Sequence, residues 1–199
     1  MNKIFQTERL TIRDFTESDF QEVHDLVKEP EIYKYQHWGL NTEEDTLHFI
    51  NMCISQQSEM PRKSFEMAIT MTDTGRLLGA IGIRVSSYNK SDIGYWVRSD
   101  FWGKGIASEA TNGLLEFGFN TLGLNKKTAT ASPENLGSLR VLEKVGMVKE
   151  GYLKEDMLVR GEYRDSVLMA ILEREFNRRS QRGCRGSFYV QRLIGLSVS

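Results

Sequence analysis

The chain carries a glycine-framed loop that could bind an anion. The stretch FWGKGIASEA, residues 101–110, follows an alternating apolar segment and precedes a segment with helical periodicity. The first amides of a helix have no partner inside the helix and carry partial positive charge, so a phosphate group can bind there. Gly103 and Gly105 would let the backbone approach such a ligand closely, and Lys104 adds a positive charge. The same pattern also suits an ordinary strand-to-helix turn, and it matches neither GxxxxGK[ST] nor GxGxxG.

The elements that would hold this loop follow from hydrophobic periodicity, which predicts the order β-α-α-β-β-β-α-β-α-β-β. Pro30 is expected to end the first helix, and Thr42 with Asp45 forms a capping box that would start the second. Consecutive hairpins among mixed elements predict an α+β domain with a mixed sheet rather than a doubly wound one. The predicted strands are ERLTIRDF, FEMAITM, RLLGAIGIRV, SDIGYWV, KKTATAS, MVKEGYLKEDMLV and YRDSVLMAIL.

Length and charge limit the classes of function. A chain of 199 residues predicts one domain, which we place at residues 1–176, followed by a basic, flexible tail at 177–199. Five of the 26 basic residues and none of the 27 acidic residues follow residue 177, so the preceding part carries a net charge of about −6. An acidic body argues against nucleic-acid binding. No apolar run is long enough to cross a membrane and no signal segment is expected, which favours a cytoplasmic protein.

The cysteines and histidines, which could act as nucleophiles or metal ligands, give weaker signals. Two cysteines, Cys53 and Cys184, provide neither a disulfide framework nor metal-ligand spacing. The three histidines are also not spaced with other ligands as a metal site requires, so no metal is predicted. Cys53 is expected in the core rather than as a nucleophile.

Four short motifs in register resemble the GCN5-related N-acetyltransferase (GNAT) superfamily. They are DIGYWV at 92–97, WGKGIASEA at 102–110, NLGS at 135–138 and EKVGM at 143–147. The opening TERLTIRDFTESDF and the YQHW loop resemble the branch that contains the ribosomal-protein N-terminal acetyltransferases. The resemblance covers about residues 5–175 and implies the GNAT fold, with a mostly antiparallel sheet, flanked by helices and splayed at the coenzyme site. Trp102 departs from the usual Gln or Arg of the coenzyme loop.

The resemblance implies that acetyl-coenzyme A binds at the splayed strand and the glycine loop. It assigns the pantetheine arm to the backbone of the strand end and to the Asn135 side chain, and it assigns the pyrophosphate to the loop amides. The amide of Val97 would also donate to the thioester carbonyl oxygen. The expected coenzyme contacts are Trp96, Val97, Arg98, Gly103, Lys104, Gly105, Ile106, Ala107 and Asn135.

The resemblance further implies a direct transfer to an amine, with no acyl-enzyme. Ser138, one helical turn after Asn135, would protonate the leaving thiolate, although a surface hydroxyl is the simpler interpretation. An ammonium acceptor must lose a proton before attack, so a carboxylate base is needed. Asp92 is the first candidate, through a water, and Glu66 is the second. A charge in solvent remains a competing interpretation of both.

The acceptor itself is less defined. Tyr35, His37 and Trp38 lie in the loop that lines the acceptor cleft in members of the superfamily, although ordinary loop packing would explain them equally well. The resemblance favours a protein N-terminus or lysine as the acceptor. A small amine, an amino acid or an antibiotic is the alternative, and a non-catalytic coenzyme A-binding module or a tail-dependent RNA-binding adaptor are further ones. A monomer and a homodimer are both compatible with the sequence.

Overall fold

The computed structural model describes residues 3–182, which form eight strands and six α-helices. The sequence predicted the internal elements because their periodicity is strong. The strands are β1 Lys3–Gln6, β2 Leu10–Asp14, β3 Ser64–Met71, β4 Leu77–Ser86, β5 Lys90–Val97, β6 Lys126–Ala131, β7 Val148–Val159 and β8 Glu162–Leu172. The helices are α1 Phe20–Val27, α2 Pro30–Tyr33, α3 Glu43–Gln57, α4 Ile106–Glu116, α5 Leu136–Lys144 and α6 Glu173–Arg182.

All eight strands form one sheet in the order β1-β2-β3-β4-β5-β6-β8-β7. Every neighbouring pair is antiparallel except β5 and β6, which are parallel. This arrangement confirms the predicted α+β class and the mostly antiparallel sheet. Within residues 3–182, no helix combines the length and the apolar character that a membrane span requires.

The strands present alternate residues to two cores, one on each face of the sheet. On the first face, Ile81 and Ile93 pack with Leu114 of α4. On the second face, Ala80 and Trp96 pack with helices α1 and α3. Adjacent residues of β5 therefore serve opposite faces, which determines where each of its side chains can act.

The parallel pair β5 and β6 separates along its length. The two strands pair only from Lys90 to Asp92, against Lys126 to Thr128. Beyond that point β5 continues to Val97 beside β4, while β6 remains paired with β8. The sheet is thus open between the last five residues of β5 and their parallel neighbour, as the predicted splay requires.

Three elements differ from the predicted ones, one near each end of the described chain and one between helices α1 and α3. Strand β1 and helix α6 were not predicted, and Pro30 begins the short helix α2 instead of ending α1 at Val27. Proline suits the first position of a helix because its missing N–H would have no partner there. Helix α6 crosses the expected boundary at residue 176, and the ring of Phe176 packs against Phe119 at 5.3 Å. The rest of the predicted tail, residues 183–199, lies outside the described residues.

Candidate active site

The glycine loop connects the open end of β5 to helix α4. Gly103 and Gly105 have φ angles of +73° and +80°, in the left-handed region that glycine adopts most easily. Gly105 is the N-cap of α4, so the first amides of that helix are presented directly after it. The indole Nε1 of Trp102 donates a hydrogen bond to the carbonyl oxygen of Val97 at 2.6 Å. Trp102 therefore ties the loop to the strand end, which is a structural use for the residue that departs from the family pattern.

A cavity of about 660 Å³ lies beside this loop. Its wall combines the end of β5, the loop, the first turn of α4, the first turns of α5 and part of the segment around α2. Eight of the predicted coenzyme and catalytic residues line it, together with Tyr35: Trp96, Val97, Gly103, Gly105, Ile106, Ala107, Asn135 and Ser138. The volume lies in the usual range of ligand pockets, and the helix start at the cavity wall presents amides of the kind that bind phosphate groups.

Two of the predicted coenzyme contacts lie outside the cavity lining. The backbone amide of Arg98 donates to Leu78 at 2.8 Å, and its side chain pairs with Asp100 at 2.7 Å. The Lys104 ammonium lies 4.8 Å from the centre of the Phe101 ring. Both groups are engaged within the protein, so their predicted contacts with the coenzyme stay predictions.

Helix α5 brings three polar groups to the cavity. The Oδ1 atom of Asn135 accepts a hydrogen bond from the amide of Ser138 at 3.1 Å and so caps the helix. Within the described residues, the Asn135 amide nitrogen has no hydrogen-bond partner, which leaves it available to a ligand. The Ser138 hydroxyl lies 3.0 Å from the Tyr95 hydroxyl.

Tyr95 is the functional candidate that sequence reasoning placed least well. Tyr95 and Trp96 are neighbours in a strand, so their side chains point to opposite faces of the sheet, and the motif DIGYWV does not say which of them reaches the cavity. The structure places the Tyr95 side chain against Ser138 at the cavity wall and buries Trp96 in the second core. Burial raises the pKa of Tyr95 to about 12, although its hydrogen bond to Ser138 acts in the opposite direction. The Tyr95 phenol is therefore a neutral proton donor throughout the physiological pH range.

The same helix adds two cations to the cavity wall. Arg140 and Lys144 line the cavity and are exposed. Within residues 3–182, Arg140 makes no ion pair with Glu143, the acidic residue three positions further along α5. These cations favour an anionic group at this end of the cavity.

The two candidate carboxylates lie together on the second face of the sheet but outside the cavity lining. Arg84 bridges them, at 3.3 Å from Asp92 and 3.6 Å from Glu66. Asp92 is exposed at the start of β5, five residues before Val97, which corresponds to about 16 Å along a strand. Glu66 is largely buried, and its carboxylate lies over Gly82, where any side chain would displace it. Burial raises the pKa of Glu66, and the neighbouring Arg84 offsets only part of that effect.

The loop after α2 contributes one of the three residues predicted to contact the acceptor. Tyr35 lines the cavity, whereas His37 is exposed and contacts Trp38, ring centre to ring centre, at 5.2 Å. Trp38 packs against the second core. Glu31 and Gln36 also line the cavity. Neither was singled out from the sequence, although Gln36 belongs to the YQHW loop.

Comparison with known proteins identifies this architecture. The model of the acetyltransferase (GNAT) domain family matches residues 9–148. An N-acetyltransferase of Bacillus subtilis, YnaD, is 34% identical over 172 residues, which cover 86% of this chain and 98% of the relative. The chain therefore belongs to the GNAT acetyltransferase family, and it is an acetyl-coenzyme A-dependent acyltransferase.

Two solved structures share the fold at lower identity. RimJ of Mycobacterium smegmatis, in complex with CoA-disulfide, has a TM-score of 0.78 at 23% identity, covering 93% of this chain and 98% of that one. A spermidine N-acetyltransferase of Vibrio cholerae, in complex with CoA and spermine, has a TM-score of 0.73 at 22% identity, covering 84% of this chain and 98% of that one. Both of those proteins were solved with a coenzyme A species.

Proposed function

We propose that the protein acetylates an amine of another protein, at an N-terminus or a lysine. The observation that carries this proposal is the charge of the cavity wall, where two carboxylates, Glu31 and Glu134, are matched by two cations, Arg140 and Lys144, among the lining residues that the structure describes. Glu66 and Asp92, the nearest carboxylates on the sheet face, already share Arg84. A wall without net negative charge suits a single ammonium group better than a polyamine, which carries several charges that each need a partner.

The base in this proposal is Glu66 rather than Asp92. Glu66 is largely buried, and its carboxylate lies over Gly82, which is paired in turn with the exposed Gly94 of β5. A carboxylate with a raised pKa accepts a proton more readily than an exposed one, and a water at the bare Gly94 position would extend its reach. Asp92 is exposed and separated from the end of β5 by its position in the strand.

The acid in this proposal is the pair Ser138 and Tyr95. Bound acetyl-coenzyme A would supply an acetyl thioester whose sulfur leaves as a thiolate. A thiol with a pKa near 8.5 leaves readily, so the hydroxyl pair needs to give only modest assistance. Ser138 donates from the cavity wall, and Tyr95, held 3.0 Å away, replaces the proton that the serine gives up.

The test is label transfer from radiolabelled acetyl-coenzyme A in a cell extract that is separated by size after incubation with the purified protein. We expect label in the protein fraction, and mass spectrometry should map it to N-termini or lysines. Label confined to the small-molecule fraction would overturn the proposal and favour a small amine, with spermidine added to a dialysed sample as the first acceptor to check. The variant Gly105→Val serves as the control for transfer that does not depend on the enzyme.

A further inference from the structure

Arg9 lies behind the glycine loop and is anchored there by Glu109. Glu109, in the first turn of α4, accepts hydrogen bonds from the Arg9 amide at 2.9 Å, from Arg9 Nε at 2.7 Å and from the Thr7 hydroxyl at 2.6 Å. Burial acts to raise the pKa of Glu109, but these hydrogen bonds and the Arg9 charge outweigh it and lower the pKa. Glu109 is therefore an ionised anchor that fixes the position of the Arg9 guanidinium.

The anchored guanidinium contacts the loop backbone. Arg9 Nη1 donates to the carbonyl oxygen of Lys104 at 3.2 Å. Its Nη2 atom lies 3.5 Å from the position that a Cβ atom on Gly105 would occupy. Arg9 does not line the cavity, whereas Gly105 does, so the arginine holds the loop from the side away from the cavity.

This contact determines where the Gly105 amide points. In a trans peptide the C=O and N–H bonds point in opposite directions. Since the Lys104 carbonyl points to Arg9, the N–H of Gly105 points away from Arg9, toward the cavity. Rotation of this peptide plane changes ψ of Lys104 and φ of Gly105, and glycine, here at φ +80°, can adopt either sense of φ. The loop glycines alone therefore do not determine this orientation.

We infer that Arg9 is a positioning residue for the coenzyme: it holds the Lys104–Gly105 peptide so that the Gly105 amide faces the pyrophosphate. The inference does not depend on the acceptor, and it rests on the placement of the coenzyme at the glycine loop. Arg9 acts from behind the peptide and need not touch the coenzyme. The Arg9 guanidinium can make two contacts at once, which a single ammonium group cannot do in this geometry. One edge binds the Glu109 carboxylate, while another N–H donates to the Lys104 carbonyl.

The experiment measures coenzyme A binding by calorimetry in the full-length chain, so no acceptor is needed. Arg9→Met should raise the Kd at least tenfold, because an amide donor to a charged phosphate oxygen is lost or misdirected. The second readout is the amide signal of Gly105 in glycine-selective ¹⁵N spectra, which should shift strongly on saturation of the wild type and weakly on saturation of Arg9→Met. The matched control is Arg62→Met, which removes an arginine paired with Asp14 at 2.8 Å on the remote β2–β3 side.

The second variant, Arg9→Lys, covers the case in which Arg9→Met does not fold. It retains a charge for Glu109 but loses the second donor that reaches the Lys104 carbonyl, so it should fold and still show the weakened binding. Full affinity in Arg9→Lys would overturn the inference, since charge alone would then suffice. Unchanged affinity in folded Arg9→Met, an intact Gly105 shift with weakened binding, or an equal loss in Arg62→Met would each overturn it as well.

Discussion

Lys127 is expected to make the stability of this protein strongly dependent on pH, because it is buried without a hydrogen-bond partner. The residue lies in β6 with 0% of its surface exposed, and within the described residues its ammonium nitrogen has no hydrogen bond. The nitrogen lies 3.2 Å from the centre of the Phe119 ring, and Gly118 leaves the space that the side chain occupies. Burial lowers the pKa of Lys127 from 10.5 to about 7, although Glu173 acts to raise it.

The sign and size of the effect follow from proton linkage. Between pH 7 and 10.5 the unfolded chain binds a proton at this lysine that the folded chain does not. Stability therefore rises with pH across this window, by about 1.4 kcal/mol per pH unit and by about 5 kcal/mol in total. From pH 7.0 to 8.5 the free energy of unfolding should rise by about 1.5 to 2 kcal/mol, and Lys127→Met should be more stable than the wild type at pH 7 by about 3 to 5 kcal/mol.

The assay is urea unfolding at pH 7.0, 7.5, 8.0 and 8.5, with the exposed Lys63→Met as the matched control. The range stops at pH 8.5 because burial raises the pKa of Cys53, so that ionisation of the thiol in the unfolded chain opposes the trend above that pH. Wild type and Lys63→Met should show the rise, and Lys127→Met should lack it. An equal pH slope in Lys127→Met, or a loss of stability at pH 7, would refute the reasoning.

Three further predictions concern the site. Gly105→Val should weaken coenzyme A binding tenfold or more by calorimetry, because it strains a left-handed position and places a side chain at the cavity. The control Gly123→Val carries a similar strain at φ +65°, beyond the far end of helix α4, and should bind normally. Ser138→Ala should lower kcat and leave the Kd for coenzyme A nearly unchanged; an unaltered kcat would remove the serine from the mechanism. Glu66→Gln should lower kcat at least tenfold and abolish the fall in rate at low pH, which should occur above pH 4.5 because the pKa of Glu66 is raised. A larger loss in Asp92→Asn would instead assign the base to Asp92.

The sequence predicted the internal elements because their signals are local and strong. The strand SDIGYWV, the glycine loop and the following helix each carry their own periodicity or turn residues, and they appear in the structure within a few residues of the expected bounds. Helix α6 was missed because its sequence, EREFNRRSQR, is dominated by polar residues, so burial of Phe176 alone distinguishes it from a solvated segment. A segment with so weak a local signal becomes helical only through its tertiary contacts.

In the candidate site as well, contacts between residues close in the sequence could be predicted, whereas contacts between distant residues could not. Asn135 and Ser138 could be predicted to act together because they lie three positions apart at the start of one helix. Tyr95 meets Ser138 from 43 residues away, and Arg9 meets Lys104 from 95 residues away. No pattern in the sequence encodes these distances, since they depend on how the sheet and helix α4 bring remote segments together.

The alternation of strand β5 places the proposed acid and base on opposite faces of the sheet. Tyr95 points to the first face, where it meets Ser138, whereas Gly94 and its paired neighbours, Gly82 and Glu66, belong to the second face. An acceptor nitrogen deprotonated from one face and a leaving sulfur protonated from the other would meet where β5 and β6 separate. A transfer across that opening needs no acyl-enzyme, and Cys53, which is fully buried and has a raised pKa, is a poor nucleophile. The splayed strand would then do more than hold the coenzyme. It would let the acceptor lose its proton on one face of the sheet while the leaving sulfur gains a proton on the other.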